Sequence, residues 1–157
     1  MGAGPVRVKR LRDRRVYLDA NVFIYFLERE PRFFEHVAPV MAGAYAGDLV
    51  AVTGDAAVAE VMVLPYRKGG PEVVRRFTDF FETRNLLDIR SHGGRDFDDA
   101  SRLRADLGLP LVDALHLATA RRAACEFFLT NDTRIPSIAG LAVIPIGCLV
   151  SEQGEQV

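Results

Sequence analysis

Five short apolar runs separated by stretches with helical spacing constrain this chain more than any other feature. The runs are Val16–Asp19, Leu49–Thr53, Leu86–Ile89, Glu126–Thr130 and Leu141–Ile146. Each is strand-length, and the sequence between them repeats its apolar residues at three- and four-residue intervals. Such alternation predicts an α/β fold: three layers, with a central parallel sheet between helices. The expected helices are Asn21–Arg29, Pro31–Asp48, Asp55–Leu64, Pro71–Arg84, Asp96–Leu107 and Leu111–Ala124. Pro39 falls inside the second, Pro71 opens the fourth, and Gly108 follows the fifth as a stop.

At 157 residues, 49% hydrophobic and 26% charged, the chain suits one domain with a substantial core. Its two cysteines, Cys125 and Cys148, belong to no CxxC or Cys/His cluster, which argues against zinc and for free thiols. The apolar runs are too short to span a membrane, and no apolar core follows the basic N-terminus as in a secretory signal. The expected location is cytoplasmic. Residues 1–15 hold six basic groups and one acid, Asp13, against a net −1 for the whole chain, which leaves −6 on the rest. The expected organisation is a flexible basic arm over 1–15, a folded domain over 16–147 and a polar tail over 148–157. A basic arm on an acidic body is one candidate for nucleic-acid contact.

The run Val16–Leu27, "VYLDANVFIYFL", holds a single carboxylate, Asp19. An unpaired carboxylate in apolar surroundings costs several kcal/mol or takes up a proton, so it needs a partner. The segment after it, Val22–Leu27, is apolar on every side. A helix lying only on a sheet needs one apolar stripe, so the excess predicts a second burial surface, on another helix or on a partner protein.

Three more acids share the setting of Asp19. Glu60 lies within "AAVAEVMVL", Asp113 within "LPLVDALHLATA", and Asp132 directly after "FFLTN". Groups just beyond the carboxyl ends of parallel strands converge on one crevice. Two carboxylates ~4 Å apart repel by ~4 kcal/mol at an effective dielectric of about 20. Either protons or a divalent cation must hold such a group together. Hard oxygen donors favour Mg²⁺ or Mn²⁺ over Zn²⁺, and a hydrated cation of that kind can support attack of water on a phosphodiester.

The segments "VYLDANVFIYFLE", "VTGDAAVAEVMVLP", "LPLVDALHLATARRAACEFFLTND" and "AVIPI" together resemble a PIN domain over about residues 16–146. The resemblance is nearest to the toxin ribonucleases of VapBC-type toxin–antitoxin pairs. It implies a PIN-like α/β/α fold, usually homodimeric, and Mg²⁺- or Mn²⁺-dependent endoribonuclease activity. Asp19, Glu60, Asp113 and Asp132 would be the catalytic, metal-binding acids, with Asn21 and Thr130 supporting them. The implied partners are an RNA substrate and a cognate antitoxin. The sequence departs from the family pattern in its eighteen residues before Asp19, in Ala57 where Thr is common, and in Val112 where Pro often precedes the acid. Neither substitution removes a ligand.

Arg102, Arg104 and His116 are further candidates, for contact with RNA, each set against the plainer reading of a solvated helix face. Two rival functions carry less. A phosphotransfer protein also places an Asp after its first strand. A phosphatase of that type wants a second acid where Asn21 stands, and both phosphotransfer types want a late lysine, whereas the only lysines are Lys9 and Lys68. A PIN-like module that binds without turnover would not need all four acids.

Overall fold

The computed structural model describes residues 3–152. The first two residues of the expected arm and residues 153–157 of the expected tail lie outside the described residues. The chain runs β1 (Val6–Arg7), β2 (Arg15–Leu18), α1 (Ala20–Leu27), α2 (Phe34–Ala46), β3 (Val50–Gly54), α3 (Asp55–Leu64) and α4 (Gly70–Phe81). It continues through β4 (Leu87–Arg90), α5 (Gly94–Leu107), α6 (Leu111–Arg122), β5 (Phe127–Thr130), β6 (Ala142–Pro145) and β7 (Leu149–Val150). All five predicted strands and all six predicted helices are present, with ends shifted by a few residues.

The five predicted strands form one parallel sheet in the order β4-β3-β2-β5-β6. From β2 the chain builds outward to β4, then returns to the other side of β2 with β5. That reversal opens a crevice beyond the carboxyl ends of β2 and β5. Successive side chains in a strand face opposite layers. Val16 and Leu18 enter the core beneath α1–α4, while Tyr17, between Val52 and Phe128, enters the core beneath α5 and α6. Covering on both faces explains why these strands read as continuous apolar runs rather than alternating ones.

The second face of α1 is covered from within the chain. Phe23 meets Phe80 and Phe81 of α4's C-terminal end at ring-centroid distances of 6.0 and 5.3 Å. Phe26 stacks on Phe34 of α2 at 6.0 Å, and Tyr25 on Phe33 at 4.6 Å. The Phe77–Phe81 stripe is therefore core, with Phe77 and Phe80 buried.

The basic arm is the main departure from expectation. Residues Val6 and Arg7 pair in parallel with Leu149 and Val150, so arm and tail form a second, two-stranded sheet. A 3₁₀ turn at Val8–Leu11 then sets Leu11, fully buried, into the core under α2. Two of the arm's arginines, Arg14 and Arg15, are spent on the fold. Arg15 donates from Nη2 to Asp88 at 2.7 Å and from Nε to the Ala123 carbonyl at 2.7 Å, and Arg14 pairs with Glu126 at 3.1 Å. Counting charge along the sequence cannot separate such anchors from a free arm, because anchoring depends on acids 73 and 112 residues away.

Truncating Leu11 tests the docking directly. Leu11→Ala should lower unfolding stability by about 2–5 kcal/mol. That corresponds to about 2–4 °C of melting temperature for each kcal/mol in a domain of this size. An unchanged urea midpoint would mean that the arm is not part of the core.

Candidate active site

Asp19 stands where β2 ends and α1 begins, at the reversal point of the sheet. It is 6% exposed. As the N-cap of α1 it accepts the Ala20 N–H at Oδ1 (2.8 Å), next to the helix's positive end. Thr130, the last residue of β5, donates its hydroxyl to Asp19 Oδ2 at 2.6 Å and accepts the Asp132 N–H at 3.0 Å. Asn21 accepts the Asn131 N–H at 3.2 Å, and the Asn131 side chain reaches Tyr25 at 3.0 Å. The turns after β2 and β5 are thus tied together, and both predicted supporting residues, Asn21 and Thr130, lie in the tie.

Glu60 reaches the same place from α3. It is exposed rather than embedded among its apolar neighbours, and its partner is His116 Nε2 at 2.9 Å. That Nε2 lies 4.0 Å from Asp19 Oδ1. The other ring nitrogen, Nδ1, faces the Tyr17 hydroxyl at 2.7 Å. Burial, with Asp19 nearby, pushes the Tyr17 phenol far above its usual pKa, so it keeps its proton. The Glu60 carboxylate can only accept at Nε2, which leaves Nδ1 of a neutral ring to accept from the Tyr17 hydroxyl. The hydrogen of a neutral His116 then sits on Nε2 and points at Glu60.

His116 is 1% exposed, which corrects the expectation that it touches RNA: it forms the floor beneath the acids. Arg102 pairs with Asp98 one turn back at 3.1 Å, and Arg104 donates to the Leu109 carbonyl at 3.1 Å. Both side chains serve α5 and its exit.

Asp113 lies in the first turn of α6, which runs against the strands and so starts at their carboxyl ends. Burial raises its pKa, and negative charge on Asp132 and Asp19 raises it further, opposed by Arg134 and His116. Asp113 thus shares its electrostatics with Asp132 and Asp19, while Glu60 is tied to Asp19 through His116. Asp132 has the reverse shift: hydrogen bonds from Arg134 hold it below the usual carboxylate range. Arg134 grips Asp132 through Nε (3.0 Å to Oδ1) and Nη2 (2.6 Å to Oδ2), and its Nη2 lies 3.7 Å from Asp113.

Oxygen donors of Asp19 and Glu60 lie within 4.8 Å of one another and of His116 Nε2, so one cation can bridge the two carboxylates while the imidazole N–H holds Glu60. The two carboxylates are hard oxygen donors of the kind a divalent ion takes, and Asp113 lies near enough to Asp19 to feel its charge.

Sequence reading passed over three residues of this site. Arg134 sits two residues beyond Asp132, a spacing that lets an Asx turn fold it back. Tyr17 reads as one more strand residue, because nothing local shows that its hydroxyl meets a histidine 99 residues on. Gly54 ends β3 beside both rings. A Cβ there would lie 2.5 Å from His92 and 2.9 Å from the Tyr17 hydroxyl. His92 in turn accepts the Ala56 N–H at 3.2 Å and bonds Thr119 at 2.7 Å.

Tyr17→Phe should leave the buried Nδ1 of His116 without a donor and lower stability by about 1–3 kcal/mol. Chemical denaturation measures this, and a wild-type midpoint would show that the hydroxyl has no such role.

The family model for the PIN domain matches residues 16–141. No curated protein sequence matches the chain. Among solved structures, a toxin–antitoxin complex from Klebsiella pneumoniae is 20% identical with a TM-score of 0.64, over 81% of this chain and 95% of that one. VapBC2 from Rickettsia felis, bound to a promoter DNA fragment, is 16% identical with a TM-score of 0.66, over 83% and 98%. VapC20 from Mycobacterium tuberculosis, a toxin that cleaves the sarcin–ricin loop, is 12% identical with a TM-score of 0.58, over 72% and 86%. At these identities the likeness is one of fold, and it agrees with the parallel five-stranded sheet and its helical layers. With the family model spanning both turns at the crevice and all four acids, this chain belongs to the PIN-domain family.

Proposed function

We propose that the protein is a metal-dependent endoribonuclease and the toxin of a toxin–antitoxin pair. The observation that carries this reading is the meeting of the Asp19 and Glu60 carboxylates above His116, with Asp113 close enough to feel the charge of Asp19. Asp19, Glu60 and Asp113 would hold a Mg²⁺ or Mn²⁺ ion, with Asp132 completing or tuning the site. Bound there, such an ion would lower the pKa of a water and offset charge on the phosphate oxygens.

The chain's own residues supply the rest. Thr130 and the Ala20 N–H fix the Asp19 carboxylate, leaving little rotational freedom to lose on binding. His116 holds Glu60 at the rim. A crevice lined by acids suits hydrolysis better than phosphotransfer to the protein, since both oxygens of Asp19 already accept hydrogen bonds from the chain.

The toxin assignment is supported by the toxin–antitoxin proteins among the structural neighbours. The antitoxin's place is the face of α3 and the turn after it, where Val63, Leu64 and Tyr66 stay exposed. A cleft of 280 Å³ between Met62, Tyr66 and Phe81 lies beside them. The second face of α1 is largely taken up by aromatic packing within the chain, with Ile24, Tyr25, Phe26 and Leu27 half-buried. Exposed Phe97, Leu107, Leu111 and Val112 on α5 and α6 offer an apolar surface for a homodimer. Among the described residues no helix is long and apolar enough to cross a membrane.

Asp19→Asn should abolish Mn²⁺-dependent cleavage of RNA, and growth arrest on induction, while circular dichroism stays native. Mn²⁺ at about a hundred times its Kd should stabilise the wild type by ~2.7 kcal/mol and the variant far less. A variant that cuts as fast as wild type would sink the assignment, and mapping RNA 5′ ends after induction would identify the cut.

A further inference from the structure

Asp132 and Arg134 behave as one unit. Both oxygens of Asp132 are taken by the same residue: Oδ1 accepts the Arg134 backbone N–H at 2.9 Å and Nε at 3.0 Å, and Oδ2 accepts Nη2 at 2.6 Å. This is the side-on, two-pronged grip that a planar guanidinium makes on a carboxylate. The grip sets Nη2 3.7 Å from Asp113, and the Arg134 side chain remains 68% exposed. Within the acid group it is the guanidinium held at the mouth, whereas Arg102 and Arg104 are turned to partners on and beyond α5.

A polyanion approaching this crevice meets Asp19, Glu60 and Asp113. Something must offset their repulsion of its phosphates, and the open edge of a fixed guanidinium is suited to do so. Its position is predetermined by Asp132, so little side-chain entropy is lost when a phosphate binds. We propose that Arg134 is a substrate-contacting residue that binds an RNA phosphate at the mouth of the crevice. Asp132 is then a positioning residue for that arginine rather than a ligand of the ion. The inference rests on the ribonuclease reading and narrows the ion's acids to Asp19, Glu60 and Asp113.

The test uses the full chain and a labelled single-stranded RNA of mixed sequence, with binding followed by fluorescence anisotropy in the cleavage-dead Asp19→Asn background. Adding Arg134→Ala should weaken binding about tenfold, as expected for the loss of a hydrogen-bonded charge. The slope of log affinity against log salt should fall by about 0.7, the value for one phosphate contact on a single strand. Arg134→Lys should restore the slope but only part of the affinity, since it keeps the charge and loses the fork. Mn²⁺ binding, read by electron paramagnetic resonance in an otherwise wild-type chain, should survive Asp132→Asn and be lost in Asp19→Asn.

Unchanged RNA affinity and slope in Arg134→Ala would overturn the proposal and leave the arginine as a counter-charge to Asp132 and Asp113. Loss of Mn²⁺ binding in Asp132→Asn as severe as in Asp19→Asn would overturn the positioning role. A wild-type protein that binds RNA through Arg134 but cuts none with Mn²⁺ would support the contact while refuting the nuclease reading.

Discussion

The hydrogen bond from Thr130 to Asp19, across the two central strands, is the contact on which the rest of the site depends. Asp19 is nearly buried, and a bare carboxylate there would be costly. Two charge-assisted hydrogen bonds, worth about 1.5–3 kcal/mol each, offset much of that cost. One donor is supplied by the chain's turn into α1, but the other comes from a strand that forms 111 residues later. The buried Asp19 carboxylate is therefore satisfied only when β2 and β5 are in register, and the same register seats Tyr17 between Val52 and Phe128. Fold and site share one constraint.

A second chain of contacts starts from Tyr17. Because its side chain leaves the sheet on the face opposite to Val16 and Leu18, its hydroxyl emerges beside α6 and meets His116. The imidazole passes that contact to Glu60 on α3, so three elements are linked through one buried ring. Gly54 makes the arrangement sterically possible, since any side chain at the end of β3 would occupy the space of Tyr17 and His92. The polar groups beneath the acids are thus partnered by one another, which leaves the carboxylates at the rim free to face solvent.

The parts of this protein legible in its sequence are those with a local signature. Strand runs, helical stripes and the stop at Gly108, which adopts a left-handed conformation with φ +69°, all depend on near neighbours. The four acids were visible because each breaks an apolar segment, and the order of their motifs pointed to the PIN family. What escaped was decided by distant partners. The basic arm could not be recognised as structure because β1 pairs with a strand more than 140 residues away. His116 could not be assigned to the interior while Tyr17 was only a strand residue. The apolar excess of α1 was correctly read as needing a second surface, but only packing shows that α2 and α4 provide it.

The acids also divide by how their charge is balanced. Asp132 is satisfied by an arginine two residues away and keeps its charge easily, below the ordinary range. Asp113 is resisted by its surroundings, with burial and two negative neighbours raising its pKa. Folded without a cation, an acid with a raised pKa favours the native state below its unfolded pKa and loses that contribution as pH rises through the folded value. Asp132 works in the other direction, contributing above its unfolded pKa and losing that contribution as pH falls through the folded one. The charge of Asp113 is therefore opposed by its burial and its negative neighbours, with Arg134 only partly offsetting them, while Asp132 holds that guanidinium directly. Site geometry alone would treat the four carboxylates as equivalent. Their electrostatics separate Asp132, already gripped by a guanidinium, from Asp113, whose charge is opposed by burial and by its acidic neighbours, and a divalent ion would relieve the latter.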